Sequence, residues 1–388
     1  MKVLVLGYGV RGRVYAGYIR SRPDLFELAG IADPAAPEAD WRDWREALEA
    51  ETSAQGAIIA LPDALHLAAA EAALAKGLHI LLEKPLGCTW EECERLAAAQ
   101  RRARRLVLTG YVLRFSALYL TLRDVLRSGA IGEITAINHL VAIGYGKSAH
   151  AFCRGNWGRE ADGSTVLVQK CTHDFDLIEW WKGSRKLKRI ASFGSLVEWR
   201  EDAKPHGAAA RCVDCPAAVR KACPFDAVRL YVESDDLRYH FSDRSDAAMR
   251  RMVEESRYGR CVYCCGNDAV NRQSVLMEYE GGLTVTLDME SFTKRRGRFT
   301  RFFGTRGEIS VGSDSVRVMP FNGEDYTVRP EGDLASMHHD GGDVMIMAAF
   351  HRLATKAPPE RYGAILDGAM RSHRLAFLAE SSRLAGKC

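Results

Sequence analysis

Short apolar runs alternate with amphipathic segments through the first third of the chain. Val3 to Leu6 reads as a buried strand and Val10 to Arg20 as a helix. Further strands are predicted at Leu28 to Ala32, Ala57 to Leu61, His79 to Leu82 and Leu106 to Thr109. Helices are predicted from Ala64 to Lys76 and from Thr89 onward. Brief apolar strands separated by helices imply a parallel, doubly wound α/β sheet covered on both faces. Near Ser116 the pattern changes. A helix over Ala117 to Arg127 ends at Ser128-Gly129, and longer alternating strands follow at Ile134 to Ile143, Ser274 to Tyr279, Leu283 to Met289 and Phe299 to Phe303. Gly281-Gly282 marks a hairpin between two of these. The expectation is a second, α+β domain with a large mixed, mostly antiparallel sheet. Residues 1–116 form the first domain on this reading and 117–388 the second. A segment of weak periodicity and little apolar content, about 202–265, is read as an insertion. Two helices, Asp343 to Thr355 and Tyr362 to Leu384, close the chain.

Composition narrows the class. The 388 residues are 47% hydrophobic and 27% charged, as in a globular protein with cores for two domains. A net charge of +4 is slight, so no nucleic-acid partner is expected. The basic run Arg101 to Arg105 has a plainer use. It closes a helix that opens with Glu91, Glu92 and Glu94, which complements the helix dipole. No apolar stretch is long enough to span a bilayer, and the apolar N-terminal run ends in a glycine turn without a cleavage site. A cytoplasmic protein with no membrane partner is the expectation. Eleven cysteines in such a compartment point to thiols or metal ligands rather than a disulfide framework.

Gly7-Tyr8-Gly9-Val10-Arg11-Gly12 places G-x-G-x-x-G between a strand and a helix. The first glycine allows the tight turn, the second lets a pyrophosphate approach the backbone, and the third lets helix and strand pack. The helix N-terminus offers N–H groups to the phosphates. Asp33 ends the second strand, where an acid accepts ribose hydroxyls and repels a 2′-phosphate. NAD is therefore expected as cofactor in preference to NADP.

Several stretches carry a resemblance: Ala57-Ile-Ile-Ala-Leu-Pro-Asp-Ala-Leu-His66, His79-Ile-Leu-Leu-Glu-Lys-Pro-Leu86, Gly110-Tyr-Val-Leu-Arg-Phe-Ser116, Gly129-Ala-Ile-Gly-Glu133 and Gly304-Thr-Arg-Gly-Glu308. In this order the chain resembles the glucose–fructose oxidoreductase/inositol dehydrogenase (Gfo/Idh/MocA) family. The resemblance implies an NAD-dependent oxidoreductase acting on a secondary alcohol of a sugar, cyclitol or sugar derivative. It extends the cofactor site to Leu61, Pro62, His66, Glu83 and Lys84. Lys84 matches the lysine that holds the reacting hydroxyl, where an ammonium stabilises a developing alkoxide. Otherwise a lysine at a strand end is simply solvated. Gln169-Lys170-Cys171-Thr172-His173-Asp174-Phe175-Asp176 resembles the family's catalytic-histidine segment, read as the start of a helix through Trp180. His173 matches the histidine that takes the alcohol proton. The family often has an aspartate where this chain has Gln169, which leaves Lys170 as the candidate third catalytic group. Arg114, Tyr111, Gln169 and Asp176 are candidate substrate contacts, with Asp176 equally suited to supporting the helix. The resemblance also implies a homodimer or homotetramer.

Two other outcomes suit the same fold. One is a redox-neutral glycosidase that oxidises its sugar transiently on tightly held NAD. The other is a non-enzymatic dinucleotide-binding regulator, which the presence of both Lys84 and His173 disfavours. In the insertion, Cys212-Val-Asp-Cys215, Cys223 and Cys261 are spaced as ligands of a structural zinc ion, with Cys264 or Cys265 as substitute for the fourth. An iron–sulfur cluster, or several buried or free thiols, are the alternatives. In His338-His339-Asp340-Gly341-Gly342-Asp343, Asp343 is expected to cap the next helix, and a histidine to reach the substrate pocket less readily.

Overall fold

The computed structural model describes residues 1–241, 243–332 and 338–386. The first sheet is built from β1 (Lys2–Leu6), β2 (Glu27–Ala32), β3 (Gly56–Ile59), β4 (His79–Leu82) and β5 (Val107–Thr109). Its order is β2-β1-β3-β4-β5, and every pairing is parallel. Helices α1 (Val10–Ser21), α2 (Trp44–Ala50), α3 (His66–Ala75) and α4 (Trp90–Ala103) connect the strands. Thr89 caps α4 by accepting the Glu92 amide, and Asp43 caps α2. The strand interiors are apolar because both faces of the sheet are buried. Side chains alternate between faces along a strand. Val3, Val5, Ile58 and Leu81 pack with Tyr15 and Ile19 of α1. Leu4, Leu6, Ile59, Ile80 and Leu82 pack with residues of α2, α3 and α4.

After α5 (Ala117–Arg127) come β6 (Ile134–Ala142), the short α6 (Tyr145–Ala149), α7 (Val166–Trp181) and β7 (Leu187–Ser195). The insertion carries α8 (Ala217–Ala222), α9 (Ala227–Tyr231) and α10 (Asp246–Glu255). Strands β8 (Arg272–Tyr279), β9 (Thr284–Glu290), β10 (Gly297–Gly304), β11 (Gly307–Val311), β12 (Val316–Pro320) and β13 (Tyr326–Val328) follow, then α11 (Gly342–Lys356) and α12 (Glu360–Ala385). The second sheet has eight strands in the order β13-β12-β11-β10-β6-β9-β8-β7. The pairs β7–β8, β8–β9, β11–β12 and β12–β13 are antiparallel. The β8–β9 hairpin turns through Gly281 and Gly282 at φ 75° and 79°, a region open to glycine.

The chain divides into two compact units. One holds residues 1–136, 168–186 and 301–378, the other 137–167, 187–300 and 379–388. In the first, α11 places Ile346, Met347 and Phe350 against the Val3 face of the parallel sheet, while Leu366 and Ala369 of α12 join the Leu4 face. In the second, the insertion is richer in core than its weak periodicity suggested. Trp199, Phe225, Leu230, Tyr231, Met249, Val253, Val262 and Tyr263 form one buried cluster. These residues sit on short helical turns and loops, where no single period governs which positions face inward.

Two local expectations are corrected. Helix α7 begins at Val166, so Gln169 and His173 lie inside it, not at its start. Gly341, at φ 77°, occupies the N-cap of α11; Asp343 lies beyond it inside the helix, and its carboxylate goes to Arg11.

Candidate active site

The turn between β1 and α1 is shaped for a diphosphate. Gly7 has φ 91°, and a Cβ there would overlap the Ala60 carbonyl; one at Gly12 would overlap the Gly7 carbonyl. At Gly9 a Cβ would meet nothing within 4 Å, so the loop leaves open space there. No side chain caps α1 at Gly9, which leaves the helix N-terminus to a ligand. The cradle therefore fits the dinucleotide expected from the sequence. Gly9→Val should leave the melting temperature nearly unchanged and weaken NAD binding at least about tenfold, since the added methyls fill only the ligand's space. Calorimetric titration with NAD checks this; unchanged affinity would place the dinucleotide elsewhere.

Asp33 is held by backbone amides on both of its oxygens. One oxygen accepts the Tyr8 amide at 2.7 Å, and the other accepts the amides of Ala35 and Ala36 at 2.8 and 3.0 Å. The carboxylate thus ties the glycine turn to the end of β2, with acceptor capacity left for about one further donor. Val10 opens α1 beside Gly9. Leu61 and Pro62 follow β3, and His66 begins α3 with both ring nitrogens against carbonyls, Pro85 at 2.6 Å and Leu61 at 2.9 Å. His66 thus braces two loops against each other.

Glu83 lies at the C-terminal end of β4 and is 6% exposed. Its carboxylate accepts Arg11 Nε at 2.7 Å and the Tyr15 hydroxyl at 2.5 Å. Arg11 also pairs with Asp343 at 2.7 Å, and Asp343 in turn meets His339 Nδ1 at 3.0 Å. The Arg11 charge keeps the Glu83 carboxyl below its ordinary value although burial pushes the other way. A side chain at Gly110 would press on this carboxylate. The side chain of His338 lies outside the described residues.

Lys84 donates from Nζ to the Gln169 carbonyl at 2.7 Å. Gln169 and His173 are four residues apart on α7 and so share a face. The lysine at the end of β4 is therefore held on the helix that carries His173, with Lys170 one turn before it. The Tyr111 ring meets the His173 ring edge-on at 5.6 Å. Tyr111 itself is buried, and its hydroxyl lies 2.7 Å from Nδ1 of His373. Asp176, 2% exposed, accepts Arg114 Nε at 2.5 Å and the Ser372 hydroxyl at 3.1 Å. Burial holds the Asp176 carboxyl above its ordinary value, with Arg114 opposing. Its oxygens support α7 and Arg114, which leaves the half-buried Arg114 guanidinium oriented over Trp180.

His373 carried no motif in the sequence. It is fully buried on α12, and its Nε2 accepts the Leu86 amide at 2.8 Å. That nitrogen carries no proton, so Nδ1 does, and it faces both the Tyr111 hydroxyl and the Ala369 carbonyl. His373 thereby fixes the loop after Lys84 relative to Tyr111. Burial, with Lys84 nearby, depresses its pKa to about 4. Burial likewise depresses His79 to about 4. Unfolded, both titrate near 6.5, so between about pH 6.5 and 4 the unfolded chain binds protons that the folded chain does not. Their stabilisation is complete above about pH 6.5 and is lost as pH falls toward 4. Unfolding free energies from urea titrations between about pH 7.5 and 4.5 should fall, by up to about 3 kcal/mol for the fully buried His373 and by clearly less for the partly exposed His79, whose shift solvent screens. Asp176 and Glu179, raised by burial, act in the opposite sense at the acid end. A flat profile would show that these histidines titrate alike in both states.

Cys88, Cys93 and Cys171 lie in the first unit; Cys153, Cys212, Cys215, Cys223, Cys261, Cys264 and Cys265 lie in the second. Cys212, Cys215, Cys223 and Cys261 line one cavity together with Arg154, Phe225 and Asp226. Cys264 and Cys265 are not part of that lining; Cys265 instead hydrogen-bonds Cys153 and the Cys261 carbonyl. A ready-made zinc centre is not what the structure shows. Among the described residues no three His, Cys, Asp or Glu side chains converge closely enough to hold a metal ion. Spacing along a chain places thiols near one another but does not set their rotamers. Among the described residues, no helix is long and apolar enough to cross a membrane.

Parallel sheet, glycine cradle and acid-tipped second strand define a dinucleotide-binding Rossmann protein. The N-terminal part of the chain matches the Gfo/Idh/MocA oxidoreductase family. Residues 1–111 match that family's NAD-binding Rossmann fold. Among curated relatives, the putative oxidoreductase YteT of Bacillus subtilis is 22% identical over 65% of this chain and 59% of its own length. An inositol 2-dehydrogenase of Corynebacterium glutamicum is 26% identical over 48% of this chain and 55% of its own. The chain thus spans less than two thirds of these relatives. The fold is shared with an inositol dehydrogenase homologue of Azotobacter vinelandii solved with NADH and myo-inositol, at 17% identity and TM-score 0.69, covering 100% of this chain and 96% of that one.

Proposed function

We propose that this protein is an NAD-dependent dehydrogenase acting on a secondary alcohol of a cyclitol, sugar or sugar derivative. The observation that carries the reading is the Lys84–Gln169 hydrogen bond, which secures the strand-end lysine to the helix face bearing His173. Residues Gly7 to Gly12 hold the pyrophosphate and Asp33 meets the ribose; Leu61, Pro62 and the loop after Glu83 line the nicotinamide half. When bound, NAD supplies the hydride acceptor. Lys84 orients the reacting hydroxyl through Nζ and steadies the charge that grows on its oxygen. His173 takes the proton on its imidazole. Lys170 and Arg114 hold further hydroxyls or a carboxylate of the substrate. Negative charge on Asp33, fixed by three amides, supports NAD over NADP.

The cyclitol and sugar classes are suggested by the inositol-linked relatives. The test is formation of reduced nicotinamide with a panel of inositols, free sugars and nucleotide sugars. NAD-linked turnover of at least one polyol supports the reading. Turnover of glycosides with no net reduction of NAD would replace it with the redox-neutral cycle, and binding of NAD without any turnover would favour a regulator. Subunit association is proposed through the second sheet, where Phe193 and Leu276 are exposed on one face at 59% and 52%. Light scattering at twice or four times the chain mass is the expected result.

A further inference from the structure

Two thiols of the second unit stand apart from the cysteine cavity and have no part in the reaction proposed above. Cys153 sits in a single π-helical turn, His150–Arg154, and is 4% exposed. Cys265 follows the short turn Val262–Cys264 at the end of the insertion and is half-buried. The two side chains meet. Cys153 Sγ lies 3.4 Å from the Val262 carbonyl and 3.6 Å from Asn267 Oδ1, so its sulfur points at the loop that carries Cys265. Cys265 Sγ rests on the Cys261 carbonyl at 3.3 Å. The backbone is fastened on either side of the pair. Arg154 Nε donates to the Arg260 carbonyl at 2.7 Å, and the Gly158 carbonyl accepts the amides of Asp268 and Ala269.

The surroundings of the two sulfurs differ as those of an attacking and a resolving thiol do. The hydrogen bond from Cys153, with the positive charge of Arg154, Arg260 and Arg257, holds the Cys265 thiol below its ordinary value. Burial pushes Cys153 the other way, so it stays a neutral thiol until a neighbouring sulfur is oxidised. Burial also pushes up the thiols of Cys212, Cys223 and Cys261, which keeps them unreactive. Cys265 thus combines partial exposure to a small oxidant with a second thiol already against it.

We propose that Cys153 and Cys265 are a peroxide-oxidised pair whose reversible disulfide locks the end of the insertion to the turn after α6. The Cys265 sulfur attacks one oxygen of hydrogen peroxide. The O–O bond breaks, a sulfenic acid forms on Cys265, and the second oxygen leaves as water with the thiol proton. The Cys153 sulfur then attacks the Cys265 sulfur. The S–O bond breaks as the S–S bond forms, and the hydroxyl leaves as water with the Cys153 proton. Two thiols lose two electrons, and one peroxide is reduced to two waters. A small thiol reverses the bridge by exchange and is itself oxidised to a disulfide. Between the two cysteines lie α7, β7 and the insertion, so the bridge closes a long loop and stabilises the chain.

The test exposes the reduced, intact protein to hydrogen peroxide at about one equivalent. Denaturing mass spectrometry should show a loss of about 2 Da per chain, reversed by dithiothreitol, and peptide mapping should place the bridge at Cys153–Cys265. Cys265 should be oxidised at least about tenfold faster than Cys88, whose thiol burial pushes up to about 12. The melting temperature should rise by about 5 °C on oxidation and return on reduction. Cys153→Ser should form no such bridge and leave a sulfenic acid on Cys265 that dimedone traps. Because that variant can also misfold, the map of the wild-type chain decides. Bridges found only among other cysteines, or Cys265 over-oxidised with Cys153 still free, would overturn the pairing. A bridge that lowers the melting temperature would overturn its role as a lock. None of these readouts depends on dehydrogenase activity, so the two proposals fail separately.

Discussion

Lys84→Met should lower NAD-linked turnover by about 10³-fold while NAD binding and the melting temperature stay close to wild type. Methionine keeps most of the lysine stem, so packing along the end of β4 is preserved and only the charged donor is lost. Losing the bond to the Gln169 carbonyl costs little in the ground state, because that carbonyl lies inside α7, where helix geometry offers it the amide four residues on. The larger loss is in the transition state, where no ammonium meets the developing alkoxide. His173→Asn should cost about 10²- to 10³-fold, and its residual rate should rise with pH as hydroxide substitutes for the base. Steady-state rates of both variants, alongside titration with NAD, check this. Full turnover in either variant would remove that residue from its assigned place.

Arg11→Met is expected to destabilise the chain by about 3–5 kcal/mol, the cost of leaving a buried carboxylate without its partner. Glu83 is 6% exposed and Asp343 equally buried, and Arg11 faces both. The Tyr15 hydroxyl remains on Glu83 but carries no charge. Adding Glu83→Gln to Arg11→Met should recover part of the loss, since a neutral amide needs no counter-charge. Urea unfolding of the two single variants and the double variant forms the cycle that measures the coupling. A loss below about 1 kcal/mol for Arg11→Met would show that solvent reaches Glu83 freely. Because Lys84 follows Glu83 directly, the destabilised variants should also lose turnover beyond what unfolding explains.

This network also shows where sequence reading stops. Arg11 sits inside the glycine motif and Glu83 directly before Lys84, so sequence alone places both at the cofactor site. Their side chains also pair with each other, across 72 residues of chain, and Arg11 reaches Asp343 at the start of α11. No local pattern reports such a pairing. His373 is a similar case: a lone histidine in a long helix, it becomes a brace only because Leu86 and Tyr111 are brought to its two nitrogens.

Periodicity alone determined the parallel sheet, its five strands and the antiparallel strands beyond Ser116, because burial on two faces or one writes itself directly into residue spacing. Glycine positions determined the cradle, since only a missing Cβ permits those close approaches. Tertiary structure decided the rest. An amphipathic helix records that it has a buried face but not which sheet it covers, so only the fold placed α11 and α12 on the parallel sheet. Likewise the cysteine spacing alone could not say which thiols lie together, and only the packing of the insertion put Cys261 against the same cavity as Cys212, Cys215 and Cys223, without bringing three of them close enough to hold a metal ion.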